Sequence, residues 1–294
     1  MSAHKSSAVA DQEPLDVLVA VHEKFDLLDF SGAVEVFNTA VHDLNDPENS
    51  KAFEITIVGP EPKVLSSQGV IIGSQISYKE AHDRLEDFDL LVVVGGNSKE
   101  VIEKELEPLS LISDFAELQK RDPARERTVL SICTGALFLG KQGILSGLSA
   151  TTHSDYLTTF ENICSDAATL LLQERTDVIE DARYVVNNLR FDLGDEDENP
   201  YIHYKTESGR RPSLNARKGS MSFKGSISRR ESIVRRAAMR LGGLRVVTAG
   251  GVSCGIDAAL YLVSAMVDDA CALEVARTLQ WTWNKGVVVD GLDV

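Results

Sequence analysis

The chain has 294 residues, 43% of them hydrophobic and 26% charged, with a formal net charge of −15. That length can bury one generous core or two modest ones, and no apolar run approaches the ~18 residues of a membrane-spanning helix. Cys133, Cys164, Cys254 and Cys271 form no CxxC pair and no ladder of spacings, which argues against a disulfide framework and a zinc site and makes a reducing cytoplasm the expected setting.

Residues 1–14 are polar, without the apolar core of a secretory signal, and are expected to form a flexible tail. The runs LDVLVAVH (15–22), FEITIVG (53–59), FDLLVVVGG (88–96) and TVLSIC (128–133) are short and almost continuously apolar. Such runs suit strands covered on both faces, as in a parallel sheet. Helical patterns separate them at 31–44, 98–121 and 134–145, and VLSSQGVIIGSQIS (64–77) reads as an inserted hairpin around a glycine. The alternation predicts an α/β domain with a doubly wound, mostly parallel sheet and helices on both faces.

Further on, DVIEDARYVVNN (177–188) reads as two strands around a turn, and residues 244–269 as a strand, a glycine turn and a long apolar helix. Between them the pattern disappears. From Lys205 to Arg245 there are 12 basic and 2 acidic residues, against 18 basic and 43 acidic in the rest. The stretch of about 190–243 is therefore expected to be a basic, disordered insert at a hairpin tip, with a short helix near 231–241. One domain, 15–285, would carry it, with 286–294 as a C-terminal tail. Arginines precede Ser213 and Ser232 in RRPS and RRES, the placement basophilic kinases prefer, so both serines are candidate phosphosites and a kinase a candidate partner.

The chemistry concentrates at strand ends. Parallel α/β sheets bind ligands beyond the carboxyl ends of their strands, where helix N-termini point amides outward. Cys133 ends the strand TVLSI and directly precedes a helix beginning at Thr134. Small residues there permit the tight turn of a nucleophile elbow, and the helix terminus favours thiolate, so a depressed thiol pKa is expected at Cys133 alone. The Thr134 N–H would face an oxyanion, with a second donor from Gly95 or Gly96 at the end of the neighbouring strand. The competing reading makes Cys133 a small core residue. His153, after GLSATT, stands at another strand end and either pairs with Cys133 or serves the structure. Asp29, between the first strand and first helix, is either an N-cap or, if Ser31 or Gly32 caps, free to face the cleft. Glu35 reads as an ordinary helix-surface residue.

With LLDFSGAVEVF upstream, VVVGG between, SICTGALFLGKQGILSGLSATTH at the centre and VVTAGGVSCGIDAALYLV downstream, the chain resembles the ThiJ/PfpI superfamily of class I glutamine amidotransferase-like proteins. The likeness covers about 15–188 and 244–285 and implies a flavodoxin-like fold. Asp29, Cys133-Thr134-Gly135 and Ala150-Thr151-Thr152-His153 are most similar to the isonitrile hydratase branch. The Parkinsonism-associated deglycase branch instead has Cys-Ala-Gly and a glutamate at the position of Asp29. The resemblance implies Cys133 as nucleophile, Asp29 as a protonated carboxyl bonded to it, His153 beside them, Gly96 and Thr134 as oxyanion donors, and a homodimer. It also implies a cofactor-free, metal-free enzyme acting on a small electrophile. Ser154 stands where hydratases commonly have tryptophan, and the insert has no counterpart in the family pattern. A glyoxalase or deglycase activity and a cysteine redox sensor are the alternatives. Neither membrane nor nucleic acid is an expected partner, the basic insert being the one segment that would permit the latter.

Overall fold

Strand β1 (Leu15–Ala20) lies at the centre of the molecule, its last four residues fully shielded. The chain is described by a computed structural model, which covers residues 13–188, 202–203 and 240–290. After β1 the order is α1 (Leu27–Thr39), β2 (Phe53–Gly59), β3 (Lys63–Leu65), β4 (Ile71–Gly73), β5 (Ile76–Ser77), α2 (Tyr78–Asp83), β6 (Leu90–Val93), α3 (Ser98–Glu103) and α4 (Leu109–Arg121). Then come β7 (Thr128–Ile132), α5 (Gly135–Lys141), β8 (Ser149–Ala150), α6 (Leu157–Leu171), β9 (Asp177–Val178), β10 (Tyr184–Asn188) and β11 (Ile202–His203). The chain closes with β12 (Arg245–Ala249), α7 (Cys254–Met266), α8 (Asp269–Thr278) and β13 (Val287–Asp290).

The main sheet has nine strands in the order β11-β13-β10-β12-β7-β6-β1-β2-β5. Every pair is parallel except β10 with β12, where Tyr184 faces Ala249 and Asn187 faces Val246. Because side chains alternate across a strand, Val17 and Val19 enter one core while Leu18 and Ala20 enter the other. Helices α1, α7 and α8 cover the first face; α2, α4, α5 and α6 cover the second. Strand order reverses beside β1: β2 lies on one side of it and β6 on the other. This is the switch point where a doubly wound sheet opens a crevice.

Several boundaries differ from the sequence pattern. The 98–121 helix is two helices, interrupted before Pro108, whose ring cannot supply an N–H to a continuous ladder. Residues 64–77 do hold a hairpin, β3 with β4, followed by β5 on the edge of the main sheet. The two strands expected in 177–188 exist but do not pair: β9 joins β8 in a small sheet, while β10 joins the main one. The expected insert begins and ends differently, since β11 adds to β13, and Gly242 accepts a bond from the buried Gln119 amide at 3.0 Å. Residues 286–294, expected as a tail, contain β13, whose valines fill the gap between β10 and β11. Ser213, Ser232 and nearly all of the helix expected at 231–241 lie outside the described residues.

Candidate active site

Three strand ends build the site. Strand β7 ends at Ile132, and Cys133 turns the chain sharply into α5 with φ of 57°. A non-glycine residue in the left-handed region is strained, and such strain marks sites where a side chain is held out for chemistry. The turn is locked on both sides. Cys133 N–H donates to Ala249 O at 3.1 Å, and Thr152 Oγ donates to Cys133 O at 2.9 Å. Only glycine fits the next step, since a Cβ on Gly135 would lie 2.5 Å from Val93 O. These are the features of a nucleophile elbow.

Asp29 arrives from the β1–α1 connection. Helix α1 starts four residues earlier than its apolar pattern suggests, because Asp26 caps it, accepting from Leu28 N–H at 3.0 Å and Asp29 N–H at 3.3 Å. Asp26, rather than Ser31 or Gly32, therefore frees Asp29, which lies inside the first turn and is 1% exposed. Its Oδ2 accepts from Gly95 N–H at 3.0 Å, whereas Oδ1 meets no donor in good geometry and is the open oxygen of the site. A Cβ built on Gly95 would stand 2.8 Å from both Asp29 Oδ2 and Thr134 N, so the carboxyl and the elbow meet across this glycine. Glu35 stays on the helix surface.

The expected oxyanion donors are all present and all engaged. Gly95 N–H goes to Asp29, Gly96 N–H donates to Thr134 Oγ at 2.9 Å, and Thr134 N–H bonds the Cys133 sulfur. His153 is placed less directly. Its Nδ1 accepts from Asp155 N–H at 3.2 Å, its ring edges Tyr156, and its Nε2 side lies toward Gly251. The histidine thus caps the turn after β8, one residue beyond the threonine that holds the elbow.

Electrostatics correct one expectation. Burial pushes the Cys133 thiol up, the charge of Asp29 pushes it further, and the Thr134 N–H only partly opposes them. Desolvation of a thiolate outweighs the field of a seven-residue helix whose first six residues are buried. Burial, with Asp26 adding to it, also pushes the Asp29 carboxyl up to about 8, against the Gly95 N–H and the Cys133 thiol. At neutral pH the pair holds both protons, as the family likeness implied for the carboxyl but not for the thiol.

Sequence patterns also missed a buried carboxylate on the helix that follows β12. Asp257, fully enclosed on α7, accepts from Arg183 Nε at 2.7 Å, Trp281 Nε1 at 2.8 Å and Asn284 N–H at 3.0 Å. An acidic residue in the otherwise apolar run GIDAALYLV was the available signal. Among the described residues no cluster of histidine, cysteine and carboxylate side chains could hold a metal ion, and no helix is long and apolar enough to cross a membrane.

Comparison with known proteins agrees with this architecture. The structure is similar to Drosophila melanogaster DJ-1beta, with a TM-score of 0.54 and 16% identity over 92% of this chain and 100% of that one. A ThiJ/PfpI family protein from Pseudomonas syringae gives 0.57 and 16%, covering 97% and 83%. At such identities the likeness concerns the fold. A Streptomyces lividans protein described as "Uncharacterized protein in cpoL 5'region" is 32% identical over 153 residues, 51% of this chain and 96% of its own length. The profile of the DJ-1/PfpI family matches residues 16–186. On that match, which takes in β1 through β10 and both Asp29 and Cys133, the chain belongs to the DJ-1/PfpI family.

Proposed function

We propose that the protein is a cofactor-free cysteine enzyme acting on a small electrophile, with isonitrile hydration as the first activity to test. The observation that carries this reading is the strained Cys133 elbow set against a buried, protonated Asp29 with one open oxygen. A core cysteine needs neither the strain nor an acid beside it. Asp29 Oδ2 already accepts from Gly95, so its proton belongs on Oδ1, where it can be given and taken.

For an isonitrile, the sulfur of Cys133 forms a bond to the terminal carbon while Asp29 relays the thiol proton to that carbon, giving a thioimidate. Asp29 then gives its proton to the thioimidate nitrogen and takes one from water as the water adds to the thioimidate carbon. Collapse of that adduct breaks the carbon–sulfur bond, passes the hydroxyl proton to the leaving sulfur and releases an N-substituted formamide. Thr134 N–H and Gly96 N–H would steady the oxygen that water brings in, once sulfur and the Thr134 hydroxyl give them up.

The test is a panel of isonitriles, methylglyoxal and glutamine, assayed with wild type and Cys133→Ala. Formamide produced by wild type and lost in the variant supports the reading. Turnover of methylglyoxal alone would assign a glyoxalase or deglycase instead, and no turnover with stoichiometric oxidation of Cys133 would assign a redox sensor.

A further inference from the structure

Thr152 carries a buried hydroxyl that the proposed chemistry leaves without a part. It follows the short strand β8 and is 2% exposed. Valine would fill the same space without the cost of burying an oxygen. The hydroxyl instead reaches a residue nineteen positions away, donating to Cys133 O at 2.9 Å. The threonine is itself held on both sides. Thr151 N–H donates to Thr248 Oγ1 at 2.9 Å, and His153 O accepts from Tyr156 N–H at 2.9 Å.

What the Thr152 bond does follows from covalent geometry. Cys133 lies between two planar peptide groups, whose tilts are its φ and ψ. The first, Ile132–Cys133, is held by its N–H on Ala249 O at 3.1 Å. The second, Cys133–Thr134, contains both the carbonyl that Thr152 grips and the Thr134 N–H that bonds the sulfur. In a trans peptide those two groups point in opposite directions, so fixing the oxygen fixes the hydrogen. A φ of 57° on a non-glycine residue persists only where the surroundings impose it. Ala249 O restrains one plane and Thr152 the other. The second expected oxyanion donor is anchored in the same way, since Asp26 N–H holds Gly95 O at 2.9 Å, in the peptide group that carries the Gly96 N–H. Of these two anchors behind the donors, only Thr152 is a side chain, so only it can be removed by substitution.

We propose that Thr152 is a positioning residue, whose hydroxyl fixes the Cys133–Thr134 peptide so that the Thr134 N–H faces the sulfur at rest and the oxyanion during turnover. The turnover half of this inference rests on the proposed cysteine chemistry, whereas the orientation of the peptide does not.

Three variants separate this role from plain packing. Thr152→Val removes the hydroxyl and keeps the shape, Thr152→Ser keeps the hydroxyl, and Thr151→Val removes a neighbouring buried hydroxyl whose oxygen meets no partner. Thr152→Val should lower the melting temperature by a few degrees, because Cys133 O loses its donor; Thr152→Ala takes its place if valine prevents folding. Amide hydrogen exchange, followed by NMR, should be at least about tenfold faster at Thr134 in Thr152→Val after division by the change at Leu130 in β7, which reports any general loss of stability. Thr152→Ser and Thr151→Val should match wild type. With whichever electrophile is turned over, kcat should fall about tenfold or more in Thr152→Val with KM little changed, because a misdirected donor is lost to the transition state rather than to binding. Thr152→Ser should recover most of it, and Thr151→Val should lose none. Exchange at Thr134 that rises no more than at Leu130 overturns the proposal. So does a specific rise with undiminished kcat, or an equal loss of kcat in Thr151→Val. A Thr152→Ser variant that behaves like Thr152→Val overturns it too, by assigning the effect to the methyl group. A specific rise with no electrophile turned over leaves the orientation established and counts against the cysteine-enzyme reading instead.

Discussion

Replacing Asp29 with asparagine tests the electrostatics of the site most directly. Asparagine has nearly the same shape, and its carbonyl can still accept from Gly95 N–H, so the fold should survive. The aspartate ionises near its ordinary 3.8 when unfolded and near 8 when folded. Between those values the folded state holds a proton that the unfolded state has released, so stability falls as pH rises through this window and levels off above it. At ~1.4 kcal/mol per pH unit, the full gap is on the order of 5 kcal/mol. Asp29→Asn removes this penalty. Its advantage over wild type in urea unfolding should be about 1 kcal/mol at pH 4.5 and grow by roughly 1 kcal/mol per pH unit to pH 8. Other titrating groups are common to both proteins and cancel in the difference. Turnover should meanwhile drop by ~10²–10⁴, the usual worth of a proton-transferring group. Stability curves that stay parallel from pH 4.5 to 8 would refute the raised carboxyl and, with it, the claim that the resting pair is fully protonated.

Alkylation of Cys133 by iodoacetamide should climb steadily from pH 7 to 9, because burial and Asp29 hold the thiol up; a plateau already reached at pH 6 would contradict this. His82 bridges Glu107 at 2.9 Å and Asp114 at 2.8 Å, and although its partial burial opposes protonation, those two carboxylates raise its pKa. His82→Gln should then cost up to about 1 kcal/mol at pH 5.5 and less at pH 9, as the wild-type ring loses its proton, and urea midpoints at the two pH values decide it. Asp257→Ala should destabilise by ~3–5 kcal/mol, since it strands the half-buried Arg183 and frees Trp281, so thermal melts and a red-shifted tryptophan emission should move together. Replacing 204–239 by a ten-residue Gly-Ser linker should leave melting and activity intact. Extending the deletion through Gly243 should cost ~1–3 kcal/mol by leaving the buried Gln119 amide without its carbonyl.

The doubly wound sheet was legible because its strands, shielded on both faces, are written as continuous apolar runs, and FEITIVG coincides with β2 to the residue. Cys133 and Asp29 were legible for a related reason. Strand-to-helix junctions have fixed positions in such a sheet, so residues at 29, 95–96 and 133 fall on one edge whatever lies between. Boundaries set by side-chain capping were not, and Asp26 rather than Ser31 starts α1. Nor was β13, since the four residues VVVD have no period of their own and become a strand only where β10 and β11 leave a place beside them. The protonation of the site was decided by tertiary structure alone. The helix start at Thr134 predicts a thiolate, but how much water the elbow loses depends on residues from β1, β6 and β12 packed around it. Desolvation sums over every neighbour in space, and a linear sequence records only the neighbours along the chain.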